Sequence, residues 1–233
     1  MKHQRFLDIA SAGNLQTFEN ELVAFAGEMD FGIVAAALVV DRPGSESAFF
    51  SLGNGPSEFA DAAKNLEDSK RDPVLKRLKK MSVPFIYNQS LYVEEGAGDL
   101  WEQQAAHGYK TGISVALHLP GNKHFLLGVD RDTPMPKDAA KIGRMLADLQ
   151  LAAVHAQDAA VRLLGEELAE PKLTARERQV LHWAMHGKTA LETGTILGIS
   201  ASTVNYFVGR ALVKLECENK HHAVLKAITL GLI

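Results

Sequence analysis

The C-terminal segment constrains the fold most tightly, because from Thr174 onward the chain repeatedly stops one helix and starts another. Thr174-Ala-Arg-Glu177 is a capping box. The threonine hydroxyl can accept from the Glu177 amide while the Glu177 carboxylate reaches back to the Thr174 amide. Apolar residues then recur at helical spacing at Val180, Leu181, Ala184 and Met185, and Gly187 suits the C-terminal stop. Ala190 to Leu197 makes a short second helix. Gly198-Ile199-Ser200 is its turn, with Gly198 available for positive φ and Ser200 placed as the next N-cap. Ser202 to Leu215 forms a third helix, and His221 to Leu230 closes the bundle.

A short helix, a tight glycine turn and a longer helix with a polar face form helix-turn-helix geometry. The second helix of such a pair enters the major groove with residues near its N-terminus. In the third helix Val204, Val208, Ala211, Leu212 and Leu215 can face inward. Ser202, Thr203, Asn205, Tyr206, Gly209, Arg210 and Lys214 are then left for phosphate or bases, joined by Lys188 and Thr189 ahead of the second helix. Asparagine pairs with adenine edges, and arginine with guanine edges or phosphate. The same pattern also fits a helical bundle used for protein contacts.

Charge supports a nucleic-acid partner for this end alone. The whole chain carries −3. From Pro171 to Ile233, however, eight Lys/Arg stand against four Asp/Glu, a net of +4. Residues 1–170 hold the remaining 17 basic and 24 acidic residues, a net of −7. A basic segment on an acidic body is expected to meet phosphate at one end only. No apolar run approaches the ~20 residues needed to cross a bilayer, and MKHQRFLDIA lacks a signal-peptide core. The single cysteine, Cys217, leaves no internal disulfide. A cytoplasmic protein without a membrane partner is expected.

Upstream the pattern is mixed. Asn14 to Met29 reads as a helix through Leu15, Phe18, Leu22 and Phe25; Gly32 to Val40 and Ala48 to Leu52 read as strands. Ser57 to Ser69, Pro73 to Lys80 and Gly98 to His107 read as helices, the second opened by Asp72-Pro73. Gly112 to Leu119 and His124 to Asp130 pair as strands around Pro120-Gly121-Asn122. Pro136 to Leu164 is a long helix whose alanine-rich stripe is the expected homodimer contact. The predicted class is α+β: an α/β/α sandwich with an antiparallel sheet over 1–164, a polar linker over 165–172, and an all-α four-helix domain over 173–233.

The segment LTARERQVLHWAMHGKTALETGTILGISASTVNYFVGRALVKLECENKHHAVLKAITLGLI resembles the LuxR-type DNA-binding domain over its whole length. The opening LTxRERxVL, Gly187-Lys188, ISxSTVN, Lys214-Leu215 and the terminal LGLI all match in order. The resemblance implies a four-helix helix-turn-helix domain that binds two-fold double-stranded DNA as a homodimer. Phe207 stands where that family commonly has His, Arg210-Ala211 where it often has Asn-Ile, and Asn219-Lys220 where Asn-Arg is usual. Operator choice is the property these departures put in doubt.

A fainter resemblance, to the autoinducer-binding domain of quorum-sensing regulators, rests on Asp72-Pro73-Val74, on Leu100-Trp101-Glu102 ahead of Gly108, and on the Gly112-Ile-Ser strand. It implies an N-acyl homoserine lactone or related small molecule between sheet and helices, its amide donating to Asp72. Asp72 also reads as a plain N-cap ahead of Pro73, and doing both needs different carboxylate oxygens. The family's tryptophan donor to the lactone carbonyl falls at Phe59, its tyrosine at Ala63, and a second tryptophan at Tyr87. Residues 124–132 hold no Ser or Thr for the acyl carbonyl. Each lost donor to a buried carbonyl costs ~1–3 kcal/mol. The pocket therefore reads three ways: a lactone in an altered pose, a less polar small molecule, or a collapsed core of Phe59, Phe85, Tyr87 and Trp101.

A phosphorylated receiver domain does not fit, since no acidic pair ends an early strand. Neither HExxH, a Walker or dinucleotide fingerprint, nor a G-x-S-x-G elbow occurs. No catalytic or metal site and no cofactor other than the small-molecule signal is expected. The expected function is a quorum-sensing transcriptional regulator. The alternatives are a ligand-independent orphan regulator and an anti-activator that heterodimerises with a relative.

Overall fold

The computed structural model describes residues 3–41, 47–55, 66–165 and 171–233. These fall into two compact units: the larger holds residues 3–40, 47–55, 66–119 and 123–165, and the smaller holds 171–233 together with Asp41 and Pro120–Asn122.

The larger unit is an antiparallel sheet with helices. Its helices are α1 (His3–Ser11), α2 (Leu15–Glu28), α3 (Leu66–Arg71), α4 (Pro73–Leu78), α5 (Gln89–Glu94), α6 (Gly98–Ala105) and α7 (Ala139–Leu164). Its strands are β1 (Ile33–Val40), β2 (Ala48–Gly53), β3 (Phe85–Tyr87), β4 (Thr111–Leu119) and β5 (Lys123–Arg131), in the order β2-β1-β5-β4-β3. The expected helix over 57–69 lies outside the described residues except for its last turn.

Side chains alternate across a strand, and the register sorts the two faces of this sheet by size. One face carries Val34, Ala36, Leu38, Ile113, Val115, Phe125, Leu127 and Val129, all fully or nearly fully buried. It packs against α7, and α2 adds Phe18, Leu22 and Phe25 to this core. The opposite face carries Ala35, Ala37, Gly112, Ser114, Ala116 and Gly128. Leu126 and Asp130 share this face, and of its small residues Ala35, on the second strand in from the β2 edge, is exposed while the others are buried. Helices α4, α5 and α6 add Val74, Leu78, Leu91, Tyr92 and Leu100 to a second cluster, against which Trp101 and Phe85 pack.

The long helix opens at an Asp138 cap rather than at Pro136: Asp138 Oδ1 accepts from the Ala140 amide at 2.9 Å. Its alanine stripe is a correction to the expected dimer contact. Ala152, Ala153, Ala156, Ala159 and Ala160 are all fully buried within this chain, where small residues let α1 and the sheet approach closely. The exposed apolar face of α7 is instead Ala147, Leu151 and Val154. Helix α1 is unanticipated above. It is held by packing, through Phe6 stacked on His155 and Arg162 donating to the Ala12 carbonyl at 2.8 Å. Strand β3, of three residues, and the six-residue α5 are too short to show a period.

The smaller unit has four helices: α8 (Ala175–Met185), α9 (Ala190–Leu197), α10 (Ala201–Leu215) and α11 (Lys220–Thr229). Leu173, Leu181, Ala211, Leu215, Ala223 and Ala227 form its core. The Thr174–Glu177 capping box is present in both directions, at 3.3 and 2.7 Å. A second one, Thr189–Glu192, opens α9. It was legible as Thr-x-x-Glu.

Candidate ligand site and candidate nucleic-acid interface

Asp72 is the α4 cap, and its two oxygens have different partners. Oδ1 caps α4, accepting from the Val74 and Leu75 amides at 2.7 and 3.1 Å. Oδ2 accepts from the Tyr92 hydroxyl at 3.3 Å and the Gln104 amide at 3.4 Å. Burial pushes the Asp72 carboxyl above its ordinary value, and the four hydrogen bonds only partly offset it. The cap and the Tyr92 and Gln104 contacts thus use different oxygens of one side chain.

Tyr87, Gly112 and Asp130 lie opposite one another on β3, β4 and β5. The Tyr87 hydroxyl donates to Asp130 Oδ1 at 2.7 Å. Burial raises Asp130 to about 7, Tyr87's hydrogen bond opposing and the Asp72 charge adding. Burial also drives the Tyr87 hydroxyl well up, with the Asp130 charge second. Tyr87 therefore stays a neutral donor. Ser114 stands on the same face of β4 as Gly112, beside Gly128 on the neighbouring strand. A Cβ at Gly128 would lie 2.8 Å from Ser114 Oγ. A hydroxyl thus comes to this face from β4, where the expectation sought one on β5.

Trp101 is half-buried, and its indole N–H donates to the Lys110 carbonyl at 3.2 Å. Phe59 and Ala63 lie outside the described residues. Tyr87 and Trp101 pack in one apolar cluster, Gly112 pairs with Tyr87, and Asp72 meets that cluster through Tyr92. Asp130, Tyr92, Gln104 and Ser114 were not anticipated. A polar residue within an otherwise apolar strand was the available signal for Ser114 and Asp130. Among the described residues, no three His, Cys, Asp or Glu side chains converge as metal ligands would.

In the smaller unit, Gly198 takes φ 66°, the left-handed conformation that ends α9. Ser200 then caps α10 by accepting from the Thr203 amide at 3.1 Å. Residues three and four apart share a helix face. Ser202, Asn205, Tyr206 and Arg210 accordingly form one exposed row. Tyr206 is 59% exposed, with its ring edge-on to Phe207. Thr203 is half-buried, its hydroxyl 2.7 Å from Ser200 Oγ. Lys188 sits one turn before Glu192, 3.7 Å away, and Thr189 serves as the α9 cap.

Lys214 departs from the expected phosphate contact. Its ammonium donates to Glu177 Oε2 at 2.7 Å and to the Lys172 carbonyl at 3.1 Å, tying α10 to the start of α8. Burial pushes the Glu177 carboxyl up. The bonds from Lys214 and Thr174, with the Lys214 charge, outweigh that and hold it below its ordinary value.

Residues 14–160 match the autoinducer binding domain, and residues 171–227 match the bacterial regulatory proteins of the luxR family. The transcriptional activator protein SolR of Ralstonia nicotianae is 36% identical over 144 residues, 60% of this chain and 61% of SolR. The regulatory protein SdiA of Escherichia coli is 30% identical over 168 residues, 70% of this chain and 67% of SdiA. The quorum sensing-dependent regulator RpaR of Rhodopseudomonas palustris is 30% identical over 190 residues, covering 78% and 75%. The chain spans 61% to 65% of the length of the first curated relatives it matches. A crystal structure of Escherichia coli SdiA aligns with a TM-score of 0.84 at 24% identity, covering 99% of this chain and 96% of that one. A structure of SdiA with octanoyl-rac-glycerol gives the same score over 98% and 93%.

Proposed function

The chain belongs to the luxR family of bacterial regulatory proteins and carries an autoinducer binding domain, and we propose that it is a cytoplasmic, DNA-binding transcription regulator that senses a small molecule. Residues 1–164 sense, 165–172 connect and 173–233 bind DNA. The observation that carries this reading is the exposed row Ser202, Asn205, Tyr206 and Arg210 on α10, set behind a left-handed Gly198 turn and a Ser200 cap. An N-terminal polar row on the second helix of such a pair is the part that reads base edges.

The working form is a homodimer on a two-fold operator. The exposed Ala147, Leu151 and Val154 face of α7 supports a contact there. The signal is an N-acyl homoserine lactone or another acylated small molecule held over the small-residue face of the sheet. Ligand that binds the folded unit alone stabilises it by mass action. The experiment is a gel shift on operators selected from random duplex DNA, with and without acyl homoserine lactones and acylglycerols. A discrete shift that ligand strengthens is expected; no shift under any condition defeats the reading.

The bonds from Tyr92 and Gln104 to Asp72 Oδ2 favour a second reading, in which the sensor's polar groups serve one another and the regulator works without ligand. DNA binding indifferent to every ligand, together with unchanged melting, would establish it.

A further inference from the structure

The row Tyr87, Gly112, Asp130 builds a carboxylate into the ligand-facing side of the sheet. Gly112 makes this geometry available. A Cβ there would sit 2.3 Å from the Tyr87 hydroxyl and 2.6 Å from Asp130 Oδ1, so the tyrosine reaches over β4 only because that position is bare. Asp130 is 2% exposed. A carboxylate has about four acceptor sites, and Tyr87 occupies one of them.

Asp72 supplies a second carboxylate nearby, with Oδ1 committed to the α4 cap and Oδ2 held only by bonds of 3.3 and 3.4 Å. The protons available here do not match the acceptors. The Tyr92 hydroxyl lies 3.3 Å from Asp72 Oδ2 and 3.1 Å from Gln104 Oε1, and one hydroxyl hydrogen serves only one of them. The Tyr87 hydrogen goes to Asp130, and the Trp101 N–H goes to a backbone carbonyl. Among the described residues, the carboxylate and amide acceptors here therefore outnumber the hydroxyl and indole hydrogens free to meet them. A homoserine lactone head suits such a site poorly, because it offers one amide N–H and asks for donors at its carbonyls.

We infer that Asp72 and Asp130 act together as an acceptor pair for the ligand's polar head, and that this head carries at least two hydrogen-bond donors, as a diol or amino alcohol does, ahead of an apolar tail. The amide or nearest donor meets Asp72 Oδ2 and the hydroxyls meet Asp130. The tail lies against Val74, Leu78, Leu100 and Ala116. This inference rests on the ligand-sensing reading above and names the ligand class of that same site.

Calorimetric titration of the full chain with two matched probes tests it, at about pH 8, where a carboxyl raised to about 7 is mostly charged: N-octanoyl serinol and N-octanoyl homoserine lactone share tail and amide and differ in the head. The wild-type chain is expected to bind the serinol amide about tenfold more tightly, the worth of one hydrogen bond to a charged group. Asp130→Asn keeps an oxygen for Tyr87 and removes the charge. It should weaken the serinol probe about tenfold and leave the lactone nearly unchanged. Equal or tighter lactone binding by the wild type overturns the inference, as does an equal loss of both probes in Asp130→Asn, which marks a structural role. The wild-type preference decides even if that variant fails to fold. Lactone binding that is tighter than serinol binding in the wild type and is abolished by Asp72→Asn leaves the sensing reading intact while this inference falls. Binding of neither probe defeats both.

Discussion

Lys214 lies on the helix proposed to meet DNA, yet its ammonium faces Glu177, which is nearly fully buried. Lys214→Met should cost roughly 2 kcal/mol, because a buried carboxylate loses its charged donor. Melting followed by Trp183 fluorescence in a Trp101→Phe background reports on the smaller unit alone, since these are the two tryptophans. Glu177 also sets a pH dependence. Its folded value is depressed, so its contribution is present above its ordinary value of 4.5 and is lost as pH falls through the lower folded value. Asp130 acts in the opposite sense. Its value rises from 3.8 to about 7, so its contribution is full below 3.8 and is lost as pH rises through about 7. The larger unit should therefore melt higher at mildly acidic pH than at alkaline pH, a difference that Asp130→Asn should flatten. A residue's type was visible in the sequence here, but its partner was not. Lys214 and Glu177 are 37 positions apart, Tyr87 and Asp130 are 43 apart, and only the fold joins them.

At the scale of elements, the turn between α9 and α10 depends on two glycines for different reasons. Gly198 needs positive φ but has open space around it, so Gly198→Ala should cost about 1–2 kcal/mol of conformational strain. Gly194 is helical, and a Cβ there would meet the Ile199 carbonyl oxygen at 2.6 Å. Backbone cannot yield as a flexible side chain can, so Gly194→Ala should cost more, as measured by the melting of each variant. Helix α7 carries a second prediction at this scale. Leu151→Glu and Val154→Glu should convert the proposed dimer to a monomer by light scattering, while leaving the fold intact because both positions are exposed. The period of α7 was legible in the sequence, but the use of its faces was not. Alanine is small enough for a tight internal contact or a helix–helix interface, and only the burial of Ala152, Ala156 and Ala160 distinguishes them.

For the whole molecule, the legible part was the part encoded locally. Caps, turns and apolar period specify the smaller unit, and Thr174, Gly198 and Ser200 behave as their residue types predict. The long helix and the β4–β5 hairpin follow from the same local cues. The proposed ligand face is built by register across four strands, which no window of sequence contains. Gly112 and Gly128 look like flaws in their strands, yet they make room for the Tyr87–Asp130 pair and for Ser114. The charge division, acidic body and basic output end, belongs to this scale too and bears on the central claim that the exposed row of α10 meets DNA. The most direct measurement is fluorescence anisotropy of the full chain on a labelled random-sequence duplex as salt is varied, comparing wild type, Arg210→Ala and Lys214→Met at a temperature where all three are folded. Each phosphate contact adds about 0.9 to the slope of log affinity against log salt. Arg210→Ala should lower that slope by about one, while Lys214→Met, whose ammonium faces inward, should leave it unchanged. A slope unmoved by Arg210→Ala but lowered by Lys214→Met would contradict the account.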